Sequence, residues 1–262
     1  MKKILVLGHT GMLGNCVASY ISLNSKYILE TTTTRWGTDE FKRHLKETDA
    51  DVIINCIGKI PQKNSESSLY REINIGLPIF LESLSKKIIH PSTDCEFSGK
   101  IPFDKKYTKL DARDAVDEYG KSKAEISQLI EEKFVNTKII RTSIIGHEIN
   151  THLSLLDWFL NAHNEVSGYT NHYWNGITTL TWAKLCLEII DSWDAYPIVN
   201  QYGTSEVRSK YDLLVDIKNV YNKNIIIREF IEKNDSNKCL SSDKEIPPIA
   251  SQLAELKELY NK

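Results

Sequence analysis

With 262 residues, 41% of them apolar and 26% charged, the chain can bury a sizeable core without disulfide or metal, and its composition excludes wholesale disorder. The 33 basic and 35 acidic side chains nearly cancel, which leaves no bulk charge to recruit nucleic acid or an anionic membrane. The first predicted element is Ile4-Leu5-Val6-Leu7, a buried strand, shorter than the roughly 7–15 apolar residues of a secretory signal. It runs into Gly8-His9-Thr10-Gly11-Met12-Leu13-Gly14 and a helical stretch from Met12 to Leu23. Glycines in a strand-to-helix turn let backbone N–H groups approach a pyrophosphate at the helix N-terminus. Gly8, Thr10, Gly11, Met12 and Leu13 are therefore candidates for dinucleotide contact.

A second strand, Tyr27 to Thr34, ends in Thr32-Thr33-Thr34-Arg35. A carboxylate at this point suits the ribose 2′-OH of NADH, whereas an arginine accommodates a 2′-phosphate. Arg35 thus predicts NADPH in preference to NADH. Strand signals recur at Asp51–Asn55, Lys87–His90 and Lys138–Arg141, with helical stretches at Ser67–Ser85 and Asp117–Lys133 between them. Strands without polar alternation, separated by helices, predict a doubly wound α/β fold with a parallel sheet covered on both faces.

His90-Pro91-Ser92-Thr93-Asp94 places a hydroxyl at the carboxyl edge of that sheet, where open α/β sheets bind ligands. Tyr119-Gly120-Lys121-Ser122-Lys123 follows at a helix start. Tyr119 and Lys123, four apart, share a helix face, so the ammonium is expected to lower the phenol's pKa from about 10 and to reach a cofactor ribose. Singly, each feature also has a plain structural reading, as a turn, a cap or a solvated pair; their order along one chain is far more specific. Beyond residue 146 the rhythm loosens: helices are expected at 153–160, 178–192, 207–221 and 250–259, and strands at 196–200 and 224–229. This divides the chain into a dinucleotide-binding unit, 1–146, and a smaller substrate-binding part, 147–262, with about 178–200 packing back on the first.

The five cysteines are odd in number and lack a CxxC pair, and the seven histidines lack HxxxH and HExxH spacings. No disulfide framework and no metal site are expected. With no apolar run near the roughly 18 residues of a membrane span, a cytoplasmic protein is expected. The oligomeric state is open, with a homodimer among the options.

The motifs GHTGMLG, VIINCIG, HPSTDCEFSGK, YGKSKAE and RTSIIGHE, and weakly WNGITTL, resemble those of extended short-chain dehydrogenases/reductases, nearest the dTDP-4-dehydrorhamnose reductase branch, over about residues 1–182. The resemblance implies NADPH-dependent reduction of the C4 ketone of a nucleotide-linked 4-keto-6-deoxyhexose. Tyr119 resembles the proton donor, Lys123 its partner and Thr93 the hydroxyl that holds the keto oxygen. Asn55, Cys56 and Ile57 would line the adenosine-phosphate side, and Ser143 and Ile144 would lie near the nicotinamide. Trp174, expected in a loop beside Asn175-Gly176, is a candidate substrate contact, and Arg208 a pyrophosphate ligand. Two departures stand out: Cys56-Ile57-Gly58-Lys59 replaces an alanine-rich stretch, and the segment between the second and third strands is short.

Three rival readings share the fold. A 4,6-dehydratase uses an Asp-Glu pair after the threonine, but here Cys95 intervenes and Glu96 falls one residue late, on the opposite face of an extended segment. A bifunctional epimerase-reductase would use Cys95 as acid/base with His147 or His152 as its counterpart. Otherwise Cys95 lines the sugar pocket. A non-catalytic nucleotide-sugar-binding subunit would tend to lose the tyrosine or lysine, and both are present.

Overall fold

A computed structural model describes residues 1–61 and 67–261. Its centre is built from β1 (Lys2–Leu7), α1 (Met12–Ser22), β2 (Tyr27–Thr31), α2 (Asp39–Glu47), β3 (Val52–Asn55), α3 (Ser67–Arg71), α4 (Leu77–Glu82), β4 (Lys87–Ser92), α5 (Glu118–Lys133) and β5 (Thr137–Arg141). There follow β6 (Ile144–Ile145), α6 (Leu155–Asn161), β7 (Glu165–Tyr169), β8 (His172–Trp174), β9 (Ile177–Thr178), α7 (Thr179–Asp191), β10 (Val199–Gln201), β11 (Arg208–Ser209), α8 (Lys210–Tyr221), β12 (Ile226–Phe230), β13 (Ser236–Asn237) and α9 (Ile249–Tyr260).

Six parallel strands form the main sheet in the order β10-β5-β4-β3-β1-β2. Alternation along β1 shows why both faces must be covered. Ile4 and Val6 join Leu13, Val17 and Ile21 of α1 and the apolar face of α7, whereas Leu5 and Leu7 meet Phe41 and Leu45 of α2 and Leu77 and Leu81 of α4. Ile126 and Ile130 of α5 cover Ile139 and Val199 on that second side. This is the doubly wound, Rossmann-like architecture expected from the uninterrupted apolar strands.

The stretch expected as one helix over 67–85 is divided by a π-helical turn, Glu72–Gly76. Two causes are visible. Pro78 has no N–H to donate to the carbonyl of residue 74, and the Asn74 side chain leaves the helix to bridge Lys59 N, Lys59 O and the Ser122 hydroxyl. The helix α2 has no counterpart among the predicted elements, although Thr38 accepts the Phe41 N–H as its N-cap and Phe41 and Leu45 stand one helical turn apart. The helix expected from 207 begins at Lys210, because Arg208 and Ser209 pair with β8 and Ser209 opens α8 through a capping box with Asp212.

The later elements make a parallel pair, β7 with β12, and a three-stranded sheet in the order β11-β8-β13. Their core holds Leu156 and Phe159 of α6, Leu213, Leu214 and Ile217 of α8, and Ile249, Leu253 and Leu256 of α9, together with Cys16 of α1. Tyr260 also donates from its hydroxyl to Asn15 Oδ1 at 2.8 Å, so the last helix is tied to the first.

Candidate active site

The chain leaves β1 toward β2 and returns to β3 on the other side, which makes the carboxyl ends of β1 and β3 the reversal point of the sheet. Open α/β sheets form their ligand crevice at such a point. Gly8 sits at φ +76°, and a Cβ there would meet the Cys56 backbone at 3.0 Å; a Cβ on Gly14 would lie 2.2 Å from the Gly8 carbonyl oxygen. These two glycines are dictated by the turn itself. Gly11 has room for a Cβ, its nearest contact being 3.4 Å, and it begins α1 with no side-chain cap and no acid in the first turn. The first N–H groups of α1 thus lack a side-chain acceptor, and His9 Nδ1, buried in the same turn, has no partner among the described residues. This cradle of donors fits a phosphate. Thr10 is exposed beside it and Met12 half-buried, whereas the Leu13 side chain belongs to the core, leaving only its backbone for a ligand. At the neighbouring strand end, buried Asn55 accepts the Ile57 N–H at 3.1 Å, and burial pushes the Cys56 thiol well up. Arg35 is exposed just past β2.

Two strands along, Thr93 is buried and extended, and caps the short 3-10 turn Asp94–Glu96. Its hydroxyl accepts from Cys95 N at 3.1 Å and donates to Asp94 Oδ1 at 3.0 Å. Asp117 opens α5 by accepting the Gly120 N–H at 2.6 Å. Gly120 then rests on the Cys95 carbonyl, where a Cβ would come within 2.2 Å. That close approach brings half-buried Tyr119 beside Thr93. Burial pushes the Tyr119 phenol up, with Cys95 and Asp94 adding to the rise and the Thr93 hydroxyl opposing it. Lys123, 5% exposed, donates from Nζ to Pro91 O at 2.6 Å and lies 3.2 Å from His90 Nε2. Burial pulls its pKa down to about 8, against the pull of Glu96. The expectation that Lys123 lowers the Tyr119 pKa is therefore corrected for this state. Lys123 is turned onto β4, and the phenol stands above its ordinary value.

The dehydratase comparison also needs a correction. Residues 94–96 are a 3-10 turn, not an extended segment, and Glu96 points inward with no exposure. Its carboxylate accepts from Ser92, from Ser127 at 2.6 Å and from Arg113 Nε at 2.7 Å, and pairs with Arg141 at 2.9 Å. A carboxylate so buried and so engaged anchors the turn and is not presented to a substrate. Neither Glu96 nor Arg141 was expected to matter; charged residues inside apolar stretches were the available signal.

The structure also relocates several candidates. Trp174 ends β8 and is 4% exposed; it donates Nε1–H to Ser143 Oγ at 2.8 Å, under Lys210 Nζ 5.6 Å above its ring. It is a buried wall, not a loop tip. Ser143 is thereby engaged, and Ile144 pairs with Ile177 in the β6–β9 ladder. His147, expected as a counterpart to Cys95, is buried between Asp157 and the Tyr221 hydroxyl, 2.8 Å from each. His152 lies 3.1 Å from Asn161 Nδ2. Cys95 neighbours Lys238 and Asp94, and burial raises its thiol to about 12. Arg208 is held by Asp216 and Glu206, at 2.8 and 2.9 Å.

A glycine turn at the reversal point, with hydroxyl, tyrosine and lysine along the same carboxyl edge, is the arrangement of an extended short-chain dehydrogenase/reductase. The chain belongs to the RmlD substrate binding domain family, whose model matches residues 1–225. No curated protein matches it. Among solved structures, a dTDP-4-dehydrorhamnose reductase from Clostridium acetobutylicum ATCC 824 superposes with TM-score 0.82 at 21% identity, over 99% of this chain and 100% of that one. One from Bacillus anthracis str. Ames, in complex with NADP, gives 0.83 at 17% identity over 98% and 99%. A dTDP-glucose 4,6-dehydratase of the same organism, in complex with NAD, gives 0.79 at 15% over 100% and 97%. At these identities the likeness is one of fold. Among the described residues no helix is long and apolar enough to cross a membrane, and no cluster of side chains could hold a metal.

Proposed function

We propose that this protein reduces the keto group of a nucleotide-linked sugar with a nicotinamide dinucleotide, and that the substrate is a 4-keto-6-deoxyhexose. The observation that carries the reading is the convergence of Thr93, Tyr119 and Lys123 at the carboxyl edge, beside a donor-lined turn built for phosphate. When bound, the dinucleotide supplies the hydride. Gly8, Thr10, Gly11, Met12 and Leu13 would hold its pyrophosphate. Asn55, Cys56 and Ile57 flank the adenosine side, and Ser143 and Ile144 the nicotinamide side. Arg35, exposed at the end of β2, favours NADPH over NADH through the 2′-phosphate.

In the reaction Thr93 donates its hydroxyl hydrogen bond to the ketone, and Tyr119 protonates the oxygen as the alkoxide forms. Burial keeps the Tyr119 phenol protonated, so the donor's proton is in place, although the same burial makes it a weaker acid than a free tyrosine. Lys123 serves the cofactor ribose, Trp174 and Cys95 wall the sugar pocket, and the part from residue 147 onward completes the cleft. The raised Cys95 thiol and the engagement of His147 by Asp157 and Tyr221 weigh against epimerisation through that pair. The deciding experiment offers dTDP-, UDP- and GDP-linked 4-keto-6-deoxyhexoses with NADPH, follows its oxidation and identifies the product by NMR. No turnover with any of them would remove the reading. Ring deuterium acquired in D2O without NADPH would instead restore the epimerase.

A further inference from the structure

Three buried side chains from three elements form a line behind the tyrosine: Asn55 on β3, His90 on β4 and Lys123 on α5. Their exposures are 0%, 1% and 5%. Asn55 Nδ2 lies 3.1 Å from His90 Nδ1, and His90 Nε2 lies 3.2 Å from Lys123 Nζ. The direction of the first bond is fixed from outside, because Asn55 Oδ1 already accepts the Ile57 N–H at 3.1 Å. Flipping the amide would set its NH2 against that N–H. Asn55 therefore donates, and His90 Nδ1 accepts.

The rest follows from counting protons. A ring that accepts at Nδ1 carries its proton at Nε2 when neutral, and a charged ring would turn an N–H against the Asn55 amide. The Nε2–H then points at Lys123. An ammonium has three hydrogens and no lone pair, so it cannot receive that bond; a neutral amine can, while still donating to Pro91 O. We propose that His90 is a positioning residue that aims its Nε2–H at Lys123 and so favours the neutral amine, making Lys123 give up its proton more readily than a free lysine until an anionic dinucleotide fills the site. The loss of hydration works the same way, lowering both His90 and Lys123. The other titratable groups facing the pair are Tyr119 on α5 itself and Glu96 on the turn after β4. Glu96 favours the ammonium, but its charge is shared with Arg113 and Arg141. Bringing phosphates near Lys123 reverses the balance, so the amine takes a proton from solvent as the ligand binds. The part of the proposal that concerns ligand rests on the reductase reading; the state of the unliganded pair does not.

Histidine ring nitrogens report the pair directly in the full-length, unliganded protein labelled with 15N. His90 should show the neutral Nε2–H form from pH 6 to 9, with a step in its ring shifts near pH 8 that vanishes in Lys123→Met. An Nδ1–H tautomer, a protonated ring at pH 6.5, or the absence of that step overturns the proposal. Calorimetry of NADPH binding at pH 8.5, in buffers of differing ionisation enthalpy, should find uptake of about 0.5–0.8 proton per site. His90→Gln, whose side-chain oxygen accepts from an ammonium, should bind NADPH with most of that uptake gone. Equal uptake in both proteins assigns no part to His90. Failure to bind NADPH at all overturns the cofactor reading and with it the ligand-linked half, while the ring spectra decide the resting state independently.

Discussion

At the scale of single residues the site is a set of protons held in place by burial. Tyr119→Phe keeps the ring against Tyr70, 6.2 Å away centre to centre, but removes the proton meant for the alkoxide. Turnover should fall about 10²–10⁴-fold with NADPH affinity nearly unchanged, as steady-state kinetics and a binding titration would show; near wild-type turnover would make Tyr119 a packing residue. Arg35→Ala should cost NADPH about 10- to 150-fold and leave NADH use little changed, the worth of one charge-assisted contact. An unaltered preference would separate Arg35 from the 2′-phosphate. Lys123 adds a pH dependence to stability. Its folded value of about 8 lies below the ordinary 10.5, so between these pH values the unfolded chain binds a proton that the folded one does not. Folding stability contributed by this group therefore rises with pH across that window. Urea unfolding at pH 7.5 and 10 should show wild type gaining on Lys123→Met as pH rises; parallel behaviour of the two proteins would contradict the shift.

At the scale of elements, what was legible from sequence was whatever local chemistry dictates. The strands β1, β3, β4 and β5 each carry a short run of consecutive aliphatic residues, and α1 and α5 announce themselves by a glycine turn and by Asp117 before an amphipathic stretch. Thr93, Tyr119 and Lys123 stand out as candidates because the first follows a legible strand and the other two open a legible helix. What could not be read was long-range. Nothing near Glu96 in sequence announces Arg141, and the strand role of Trp174 depends on its partner Arg208, 34 residues away, and on Ser236 and Asn237, which pair with His172 and Tyr173, through a sheet too short to leave a periodic signal. The lysine's orientation onto β4 depends likewise on His90 and Pro91. One contact between elements can be tested on its own. Gly120 lets α5 lie on the Cys95 carbonyl, and Gly120→Ala would force the helix and the Thr93 turn apart. The expected cost is about 1–3 kcal/mol of stability, with turnover falling further than that loss explains. Wild-type kinetics in this variant would show that the 3-10 turn can move without consequence.

At the scale of the whole molecule the two cores are sewn together. The strand β10 pairs with β5 after an excursion of some 58 residues, α7 covers one face of the main sheet, and α9 reaches back to α1. Leu253→Ala, at a site with no exposure in the second core, should therefore cost about 2–5 kcal/mol, and the loss should register at α1 as well. Hydrogen exchange would show this as faster exchange in α1 together with α8 and α9; protection of α1 left intact would mean that the cores open separately. The placement of α7 also has a consequence for how the protein is made. Five of the six strands of the main sheet are complete by Arg141, yet the helix that closes one face ends about fifty residues later, at Asp191. At roughly 5–20 residues per second, the ribosome leaves Ile4, Val6, Ile54, Ile89 and Ile140 without their α7 cover for several seconds. During each round of synthesis that apolar face is a place for chaperones to bind, and slowing translation before codon 191 should lengthen their stay.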